Sequence, residues 1–480
     1  NAAMDPEVGI ANPISNNATI LSVSGLEDLD DRQRRALRER FRSCWYEIPT
    51  ALGFCMYLKR DTIKRCGVFD ALFDPGYGEE CDYSMRLRRQ GLRIAAVPSS
   101  IVFHEGSRSF RERADDLKSL HARLVSLRWP DYDMEVQRFA RHNPIRAIQE
   151  FVHACRSPAS SRVLHVMHAF DYLGGIELFT KELLARFSSD TEHVILCPGR
   201  VDDAWLDFDE SAFSPQVRVL RFDPGRFSYR DVAMAIPAGL EHPGLDAMFR
   251  RLVTGGDFNC VTFHSLVRLG TLSWPAICRD LGIPYQLCVH EFFHLCHDYN
   301  MTQGPDDLGP CGKTVCHESD QDCLTCLGAR IMRLDQPLPR YMQKRRGLWQ
   351  AIFADAHTIL TNGPLVTESI AAAYGETLRP RIREFEPYFY AKGQASGHRV
   401  NPIDSPLHVA YLGAFSPRKG GLVFLDACRR LKGKNPRWSV IGNVDDRLKP
   451  ALAESGVPCT GAYDRSDLPE LLRDVDVVIQ

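Results

Sequence analysis

Short apolar runs that alternate with helical stretches constrain the fold of this chain more than any other feature. Residues 162–167 predict a buried strand, and residues 176–187 place apolar side chains on one helical face. Four later runs repeat the strand pattern with helices between them: residues 192–197, 259–264, 284–290 and 357–362. Strands that are regularly followed by helices predict a parallel, doubly wound α/β sheet.

Two breaks divide the chain into three pieces. Residues 155–162 and 392–406 are polar, contain proline and are typical of linkers. A length of 480 residues also favours three domains at about 150 residues each. We place these domains at residues 1–153, 162–391 and 404–480. The first is predicted to be a mixed α/β piece, and the other two are predicted to be doubly wound.

The third piece repeats the strand and helix rhythm but is too short for a complete domain. Strands are predicted at residues 407–413, 437–442 and 475–480, and helices at residues 421–432 and 466–474. The chain begins with Asn1 and stops inside the last of these strands. We therefore expect it to be a fragment of a longer polypeptide.

Composition excludes several classes of function. The chain has 59 Lys and Arg against 61 Asp and Glu, so nucleic acid is not an expected partner. No apolar run approaches the roughly 18 to 20 residues that a membrane-spanning helix needs. No secretory signal is recognisable, and reduced thiols are expected. We predict a cytoplasmic location. Any contact with lipid is expected to be peripheral, at the inner face of the cell membrane.

Acidic residues are concentrated where a helix is predicted to begin, at residue 79. Three carboxylates stand there within four residues: Glu79, Glu80 and Asp82. Carboxylates stabilise helix N-termini, which explains one or two of them, but capping does not require Gly76 and Gly78 just before. The alternative is a carboxylate that is held at the mouth of a cleft as a general base.

Five segments that follow one another along the first piece carry a family resemblance. They are Ser15-Asn-Asn-Ala-Thr19, residues 48–57, Cys66-Gly-Val-Phe-Asp70, residues 76–82 with Arg86, and Val102-Phe-His-Glu-Gly106. Together they resemble the second half of a family-two glycosyltransferase with the GT-A fold, in its rhamnosyltransferase-like branch. Several motifs in order are more specific than one short motif alone.

This resemblance implies an inverting transfer from a nucleotide sugar, with roles for named residues. Glu80 falls on the position of the general base, and Glu79 and Asp82 would position the helix and a neighbouring Arg. His104 matches the histidine that completes the shell of a Mg or Mn ion on the donor diphosphate. The usual Asp-x-Asp partner of that ion would lie before Asn1. For His104 alone, a structural role is the alternative.

Two loops between strand and helix in the later pieces offer groups that suit phosphate. Gly174 and Gly175 let backbone N–H groups approach a ligand closely at a helix N-terminus. Arg418 and Lys419 offer positive charge to a diphosphate in the third piece. The alternatives are a tight turn for the glycine pair and a solvated basic turn for the cations.

These loops in two doubly wound domains resemble a family-four glycosyltransferase with the GT-B fold. The resemblance implies an acceptor-side domain, a truncated nucleotide-sugar domain and retaining chemistry. Lys419 matches the diphosphate lysine, and Ala414 replaces a common arginine of that motif. His168 precedes the glycine loop, and His264 and His290 match substrate contacts at strand ends. Each of the last two is equally compatible with a satisfied strand-end histidine.

Four cysteines lie within sixteen residues of the second piece, inside an insertion at residues 296–328. They are Cys311, Cys316, Cys323 and Cys326. Four thiolates with a closing C-x2-C spacing suit structural zinc, and two disulfides or free thiols are the alternatives.

The complete pattern predicts a bifunctional glycosyltransferase. It would consist of a partial GT-A domain followed by two GT-B domains, of which the last is incomplete. It would transfer sugars from nucleotide-sugar donors to a glycan or a lipid-linked glycan acceptor, such as a growing O-antigen or capsule. That setting rests on analogy. The alternative is a non-catalytic carbohydrate-binding or scaffolding protein with degenerate transferase folds.

Overall fold

The structure is a computed structural model, and it forms two compact units. It describes residues 2–105, 114–170, 174–184, 190–199, 209–210, 217–222, 240–302, 311–313, 315–331, 334, 336–385, 406–434 and 436–479. The first unit contains residues 1–289, 351–360 and 381–383, and the second contains residues 290–350, 361–380 and 384–480. The described residues form three sheets, which follow one another in the same order as the three predicted pieces.

The first sheet has four strands in the order β2-β4-β1-β3. These strands are β1 (Val8–Ile14), β2 (Tyr46–Glu47), β3 (Tyr57–Leu58) and β4 (Arg93–Ile101). The central pair, β1 and β4, is parallel, and each edge strand runs antiparallel to its neighbour. The piece is therefore mixed α/β, as predicted.

Six helices accompany this sheet in the described residues. They are α1 (Asp31–Arg40), α2 (Arg60–Cys66), α3 (Glu79–Arg89), α4 (Ala114–Arg128), α5 (Tyr132–His142) and α6 (Arg146–Arg156). Helix α3 confirms the helix predicted at the acidic segment. It carries three acids in its first turn and three arginines in its last, which complements the helix dipole at both ends.

The second sheet has eight strands in the order β12-β11-β10-β9-β5-β6-β8-β7. They are β5 (Ser161–Val166), β6 (Thr191–Pro198), β7 (Asp209–Glu210), β8 (Val217–Phe222), β9 (Cys260–Phe263), β10 (Tyr285–Val289), β11 (Thr358–Thr361) and β12 (Ile382–Glu384). From β8 to β10 every neighbouring pair is parallel, which confirms the predicted doubly wound arrangement.

In the described part of the chain, six further helices follow strands of this sheet or lie in and after the cysteine-rich insertion. They are α7 (Gly175–Leu184), α8 (Pro243–Gly255), α9 (Trp274–Asp280), α10 (Gln321–Arg330), α11 (Leu338–Asp355) and α12 (Pro364–Tyr374). The predicted end of α7, residues 185–187, lies outside the described residues, as do most of the second predicted linker and residues 303–310 and 314 of the insertion.

The first and second sheets belong to one unit, and helices α6 and α8 pack closely together in it. A Cβ atom on Gly255 of α8 would lie only 2.0 Å from the carbonyl oxygen of Ala147 in α6. Only glycine permits so close an approach of the two backbones. Buried ion pairs also cross the predicted break at residues 155–162, because Arg162 contacts both Glu150 and Glu192.

The third sheet consists of β13 (His408–Leu412), β14 (Arg437–Ile441) and β15 (Val477–Ile479), all parallel, in the order β14-β13-β15. Its helices are α13 (Gly421–Arg430), α14 (Lys449–Ser455) and α15 (Leu468–Leu471).

The helix predicted at residues 466–474 is wrong in its extent, since α15 ends at Leu471. The chain after it is held by His408. The ring Nδ1 of His408 lies 2.8 Å from the carbonyl oxygen of Asp474, and its backbone N–H donates to Asp476 at 2.7 Å. Among the described residues, no helix has both the length and the apolar character that a membrane crossing demands.

Candidate active sites

The loop before α3 has an unusual backbone that a buried histidine holds in place. Gly76, Tyr77 and Gly78 all have positive φ angles, of 152°, 70° and 100°. The Nδ1 atom of His121 lies 2.8 Å from the Gly76 carbonyl oxygen and 2.7 Å from that of Tyr77. Because both partners are acceptors, Nδ1 carries the proton and donates to them. This role of His121, on helix α4, is not evident from the sequence.

Glu80 lies beside this loop with its carboxylate in a confined position. Its Oε2 accepts a hydrogen bond from the Gly78 backbone N–H at 3.1 Å. A Cβ atom on Gly53 would lie 3.8 Å from its carboxyl carbon, so the segment around Gly53 forms one wall. Burial, and then the charge of Glu79, raise the pKa of Glu80.

His104 lies beside the same wall, because the ring of Phe54, the residue after Gly53, stacks on the ring of His104. The rings of Phe54 and His104 are stacked with centroids 5.4 Å apart. The His104 backbone N–H donates to Asn16 at 3.0 Å, and its Nδ1 lies 2.7 Å from the Asn17 carbonyl oxygen. The structure therefore brings together four of the segments that carry the first resemblance.

One side chain of β1 fixes the wall that contains Gly53. Asn12 is buried, and its amide donates to the carbonyl oxygens of Leu52 and Cys55 at 2.8 and 2.7 Å. Its own oxygen accepts from the Leu52 N–H at 3.2 Å. A buried amide that satisfies three backbone groups restricts the movement of the loop.

Asp82 has a structural environment, which agrees with the positioning role that the resemblance gives it. The residue is fully buried, and both carboxylate oxygens are occupied. Trp129 Nε1 donates to one oxygen at 2.9 Å, with Arg128 3.1 Å from it, and Arg86 Nε donates to the other at 2.8 Å. No lone pair faces a substrate, so Asp82 positions α3 and its arginines.

His104 fits one position of a Mg or Mn site. Its Nδ1 proton is donated to the Asn17 carbonyl oxygen, which leaves Nε2 as the atom that can bind a metal. Within the described ranges, however, no group of three ligands that includes His104 comes close enough to hold an ion. The residues present therefore fit a single ligand of such a site.

The second candidate site lies at the carboxyl ends of β5 and β9. From β5 the sheet continues through β6 to one edge, and the chain then returns to β9 on the other side. Ligands of doubly wound sheets bind in the crevice where the strand order reverses. The loops after β5 and β9 carry Gly174, Gly175 and His168, and then His264 and Arg268.

Glu177 occupies the space beside the glycine pair. A Cβ atom on Gly174 would lie 2.3 Å from Glu177 Oε2, whereas nothing lies within 4 Å of a Cβ on Gly175. His168 Nε2 lies 3.3 Å from Glu177 Oε1. A side chain at position 174 would therefore displace the Glu177 carboxylate, whereas Gly175 faces open space. The sequence prediction identified the glycines and missed Glu177.

His264 is part of a chain of buried hydrogen bonds. The Thr180 hydroxyl donates to Ile176 and so accepts from His264 Nδ1, which lies 3.3 Å away. His264 Nε2 lies 2.9 Å from His165 Nδ1, and His165 Nε2 lies 2.9 Å from His193 Nδ1. Burial lowers the pKa of His165 to about 3 and that of His193 to about 4, so both rings are neutral at pH 7.

These contacts favour the structural alternative for His264 over a substrate contact. The residue is fully buried, and each ring nitrogen already has a partner. His290 belongs to the second unit, where it is half-buried directly after β10 and packs edge-on against Phe385 with ring centroids 5.7 Å apart. Its role as a substrate contact stays a prediction.

Arg418 and Lys419 lie in the second unit in a short 3-10 helix, Pro417–Lys419, after β13. The Lys419 carbonyl oxygen accepts from the Tyr411 hydroxyl at 2.8 Å, which fixes the backbone below the two cations. Because β13 has β14 on one side and β15 on the other, this loop also lies where the strand order reverses.

The cysteine cluster of the second unit has a fifth member, Cys296, that the sequence prediction did not include. The neighbouring Cys296 raises the pKa of the Cys316 thiol, with further contributions from burial and from Cys323. Cys326 is one turn from Cys323 on α10. None of the five cysteines of the cluster is in a disulfide.

Comparisons with known proteins find matches among solved structures alone. No protein-family model and no curated protein sequence matches the chain. HepE from Anabaena, solved with UDP and glucose, is 11% identical over 66% of this chain and 73% of its own, with a TM-score of 0.39. Sucrose-phosphate synthase from Thermosynechococcus elongatus is 13% identical over 66% and 74%, with a TM-score of 0.40.

The lipopolysaccharide outer core galactosyltransferase WaaB is 13% identical over 66% of this chain and 73% of its own, with a TM-score of 0.39. Scores this low establish neither a shared fold nor a shared activity. The assignment below therefore depends on the geometry of the chain itself.

Proposed function

We propose that this chain is a glycosyltransferase that uses nucleotide sugars and has two sites, one inverting of GT-A type and one retaining of GT-B type. The convergence around Glu80 carries the proposal. Four segments that are separate in the sequence meet there. They supply the carboxylate of Glu80, the Nε2 atom of His104 and a wall at Gly53 that has no side chain.

At the first site Glu80 is the general base. It takes the proton of an acceptor hydroxyl while that oxygen bonds to the anomeric carbon of the donor. The bond from this carbon to the diphosphate oxygen breaks, and the nucleoside diphosphate leaves. A Mg or Mn ion, when bound, would neutralise charge on that diphosphate. The Gly78 N–H and the His121 clamp hold Glu80 at a fixed position, which reduces the entropy cost of the reaction.

For the GT-B reaction the cations after β13 in the second unit take the donor diphosphate. The crevice between β5 and β9 in the first unit is a separate candidate for binding the acceptor. Arg418 and Lys419 are two adjacent cations on a fixed backbone, which suits a diphosphate. Release of nucleoside diphosphate from a panel of nucleotide sugars, with glycan acceptors present, tests the proposal. A panel that gives no transfer and no hydrolysis would contradict it.

The environment of Glu80 predicts the pH dependence of the first reaction. Because the base must be ionised and its pKa is raised, the rate should fall with decreasing pH already above the ordinary range of a glutamate. Glu79→Gln removes the second cause of the raised pKa and should move this acid limb to lower pH. The measurement is kcat against pH for both proteins. An acid limb that is unchanged in Glu79→Gln would contradict the coupling of the two carboxyls.

We also propose that the five-cysteine cluster binds one structural zinc ion. Cys296 and Cys323 both raise the pKa of the Cys316 thiol, so we take Cys316 as the central ligand and add Cys296 to the ligands that the sequence predicted. Zinc prefers four thiolates in a tetrahedron, and a fully coordinated ion has no open position for catalysis.

The zinc content of the purified chain should be about one ion, and Cys316→Ser should lose most of it and unfold at a lower temperature. Elemental analysis and a thermal melt measure both effects. Cys44→Ser is the control, because Cys44 is exposed and lies outside the cluster. A wild-type chain that lacks zinc and has sixteen titratable thiols when unfolded would contradict the proposal.

A further inference from the structure

A cavity of about 220 Å³ lies in the first unit between α6, α8 and the end of β8. Its inner wall is mostly apolar, and four of the apolar residues there are buried: Ala147, Phe222, Leu245 and Leu252. An apolar cavity of about 150 Å³ is already large enough to bind benzene. This cavity therefore has room for a small organic ligand.

One charged side chain, that of Arg146, stands in this apolar wall at the first position of α6. Arg146 is only 8% exposed, and its Nη1 donates to the Arg221 carbonyl oxygen at 2.9 Å, which fixes the side chain. Burial lowers the pKa of Arg146 to about 10, so the guanidinium is still charged at pH 7. A charge that is shielded from water attracts an anion more strongly than an exposed charge does.

The buried charges next to Arg146 leave an excess of positive charge. Glu150 lies one turn further along α6, but its two carboxylate oxygens accept hydrogen bonds from Arg218 and Arg162. Glu192 is held by the same two arginines. With Arg146, the group contains three guanidinium groups and two carboxyl groups, so at least one positive charge is not balanced within it. An anion in the cavity would balance that charge.

Two further side chains of the lining also suit an anion. The guanidinium of Arg251 lies at the exposed rim, above the ring of Tyr46 at 5.3 Å. His242 Nδ1 accepts from the Leu245 backbone N–H at 3.2 Å, so the neutral ring carries its proton on Nε2 and can donate it. The lining residues that the structure describes include no Asp or Glu. The cavity thus combines apolar walls with donors and positive charge.

We propose that this cavity binds an anionic amphiphile, with a carboxylate or phosphate group on Arg146 and an apolar chain along Phe222, Leu245 and Leu252. Arginine binds both anions in the same two-pronged geometry, and the apolar walls contribute affinity in proportion to the area that they bury. The proposal goes beyond the proposed function, because none of the lining residues belongs to either candidate active site.

Calorimetric titration of the full chain tests the proposal with octanoate, octyl phosphate, octanol and inorganic phosphate, each below the concentration at which it aggregates. At least one anionic amphiphile should bind about tenfold or more tightly than octanol, and that anion identifies the head group. Removing two methylenes from its chain should weaken binding about tenfold. Octanol that binds as tightly as both anions would overturn the proposal. So would inorganic phosphate that binds as tightly as octyl phosphate, or a chain that binds none of the four.

Arg146→Gln should weaken binding of the anionic amphiphile at least about tenfold and leave octanol unchanged. Its control is Arg250→Gln, because Arg250 is exposed, pairs with Asp280 and does not line the cavity. Wild-type affinity in Arg146→Gln would overturn the proposal.

A second variant tests the cavity without touching the buried charges. Met248 is a half-buried residue of the lining, so Met248→Trp should fill the cavity and abolish binding of the amphiphile. Met134→Trp, at an exposed position of α5, is the matched control and should bind as the wild type does. Undiminished binding in Met248→Trp would overturn the proposal. Because binding is measured without turnover, a chain that binds the amphiphile but transfers no sugar would contradict the proposed function alone.

Discussion

Replacing Glu80 by Gln should lower kcat of the first transfer by about 10² to 10⁴ and leave KM nearly unchanged. The glutamine side chain has the same size and keeps an oxygen that can accept from the Gly78 N–H at the helix start. What it loses is the ability to take a proton from the acceptor hydroxyl. Steady-state kinetics of nucleoside diphosphate release, with donor and acceptor varied separately, measure the effect.

The control for this experiment is Glu39→Gln. Glu39 is an exposed residue of α1 that pairs with Arg42 on the surface, so the same chemical change there should leave kcat unaltered. A Glu80→Gln variant with wild-type kcat and an unchanged pH profile would contradict the role of Glu80 as base.

Replacing Arg218 by Ala should destabilise the first unit by about 3 to 5 kcal/mol. Arg218 lies 2.9 Å from Glu150 and 3.1 Å from Glu192, and all three side chains are buried. Burial alone would raise the pKa of Glu192, but hydrogen bonds from His153 and Arg162 lower it well below its usual range. Glu192 therefore stays ionised, and removing Arg218 leaves its charge with one cation fewer.

The measurement is the free energy of unfolding in urea, compared with Lys64→Ala. Lys64 pairs with Asp61 on the surface with both side chains mostly exposed, so its loss should cost at most about 1 kcal/mol. The double variant Glu150→Gln with Arg218→Met should recover part of the stability, because it removes one charge of each sign. A loss of less than about 1 kcal/mol in Arg218→Ala would contradict the importance of the network.

Local patterns were sufficient to predict most of the sheet strands. The apolar runs that form β5, β6, β9 and β10 are bounded by polar turns. The pattern of apolar residues alone identifies these runs as strands. Helix α3 was predictable because glycine before it and acids in its first turn mark a helix start. Such signals depend on neighbouring residues only.

Features that depend on distant contacts were not predictable. Helix α6 buries Arg146 and Glu150, which a hydropathy pattern assigns to the surface, because their partners lie on strands far along the chain. For the same reason Cys296 looked isolated until folding brought it to Cys316.

The candidate site around Glu80 was predictable in most of its members. The sequence identified Glu80 and His104 through motif order and gave Asp82 a positioning role, with which its two occupied oxygens agree. His121 escaped prediction because it acts on the backbone of a loop about 45 residues away in the chain, which no local pattern encodes.

The most direct test of two transferase sites is product analysis of the full chain with a panel of nucleotide sugars and a lipid-linked glycan acceptor. Wild type, Glu80→Gln and Lys419→Ala are compared by mass spectrometry of the glycan. Two active sites predict that each variant loses a different linkage and retains the other. If neither variant changes any product, the catalytic assignments are contradicted and a carbohydrate-binding scaffold becomes the better account.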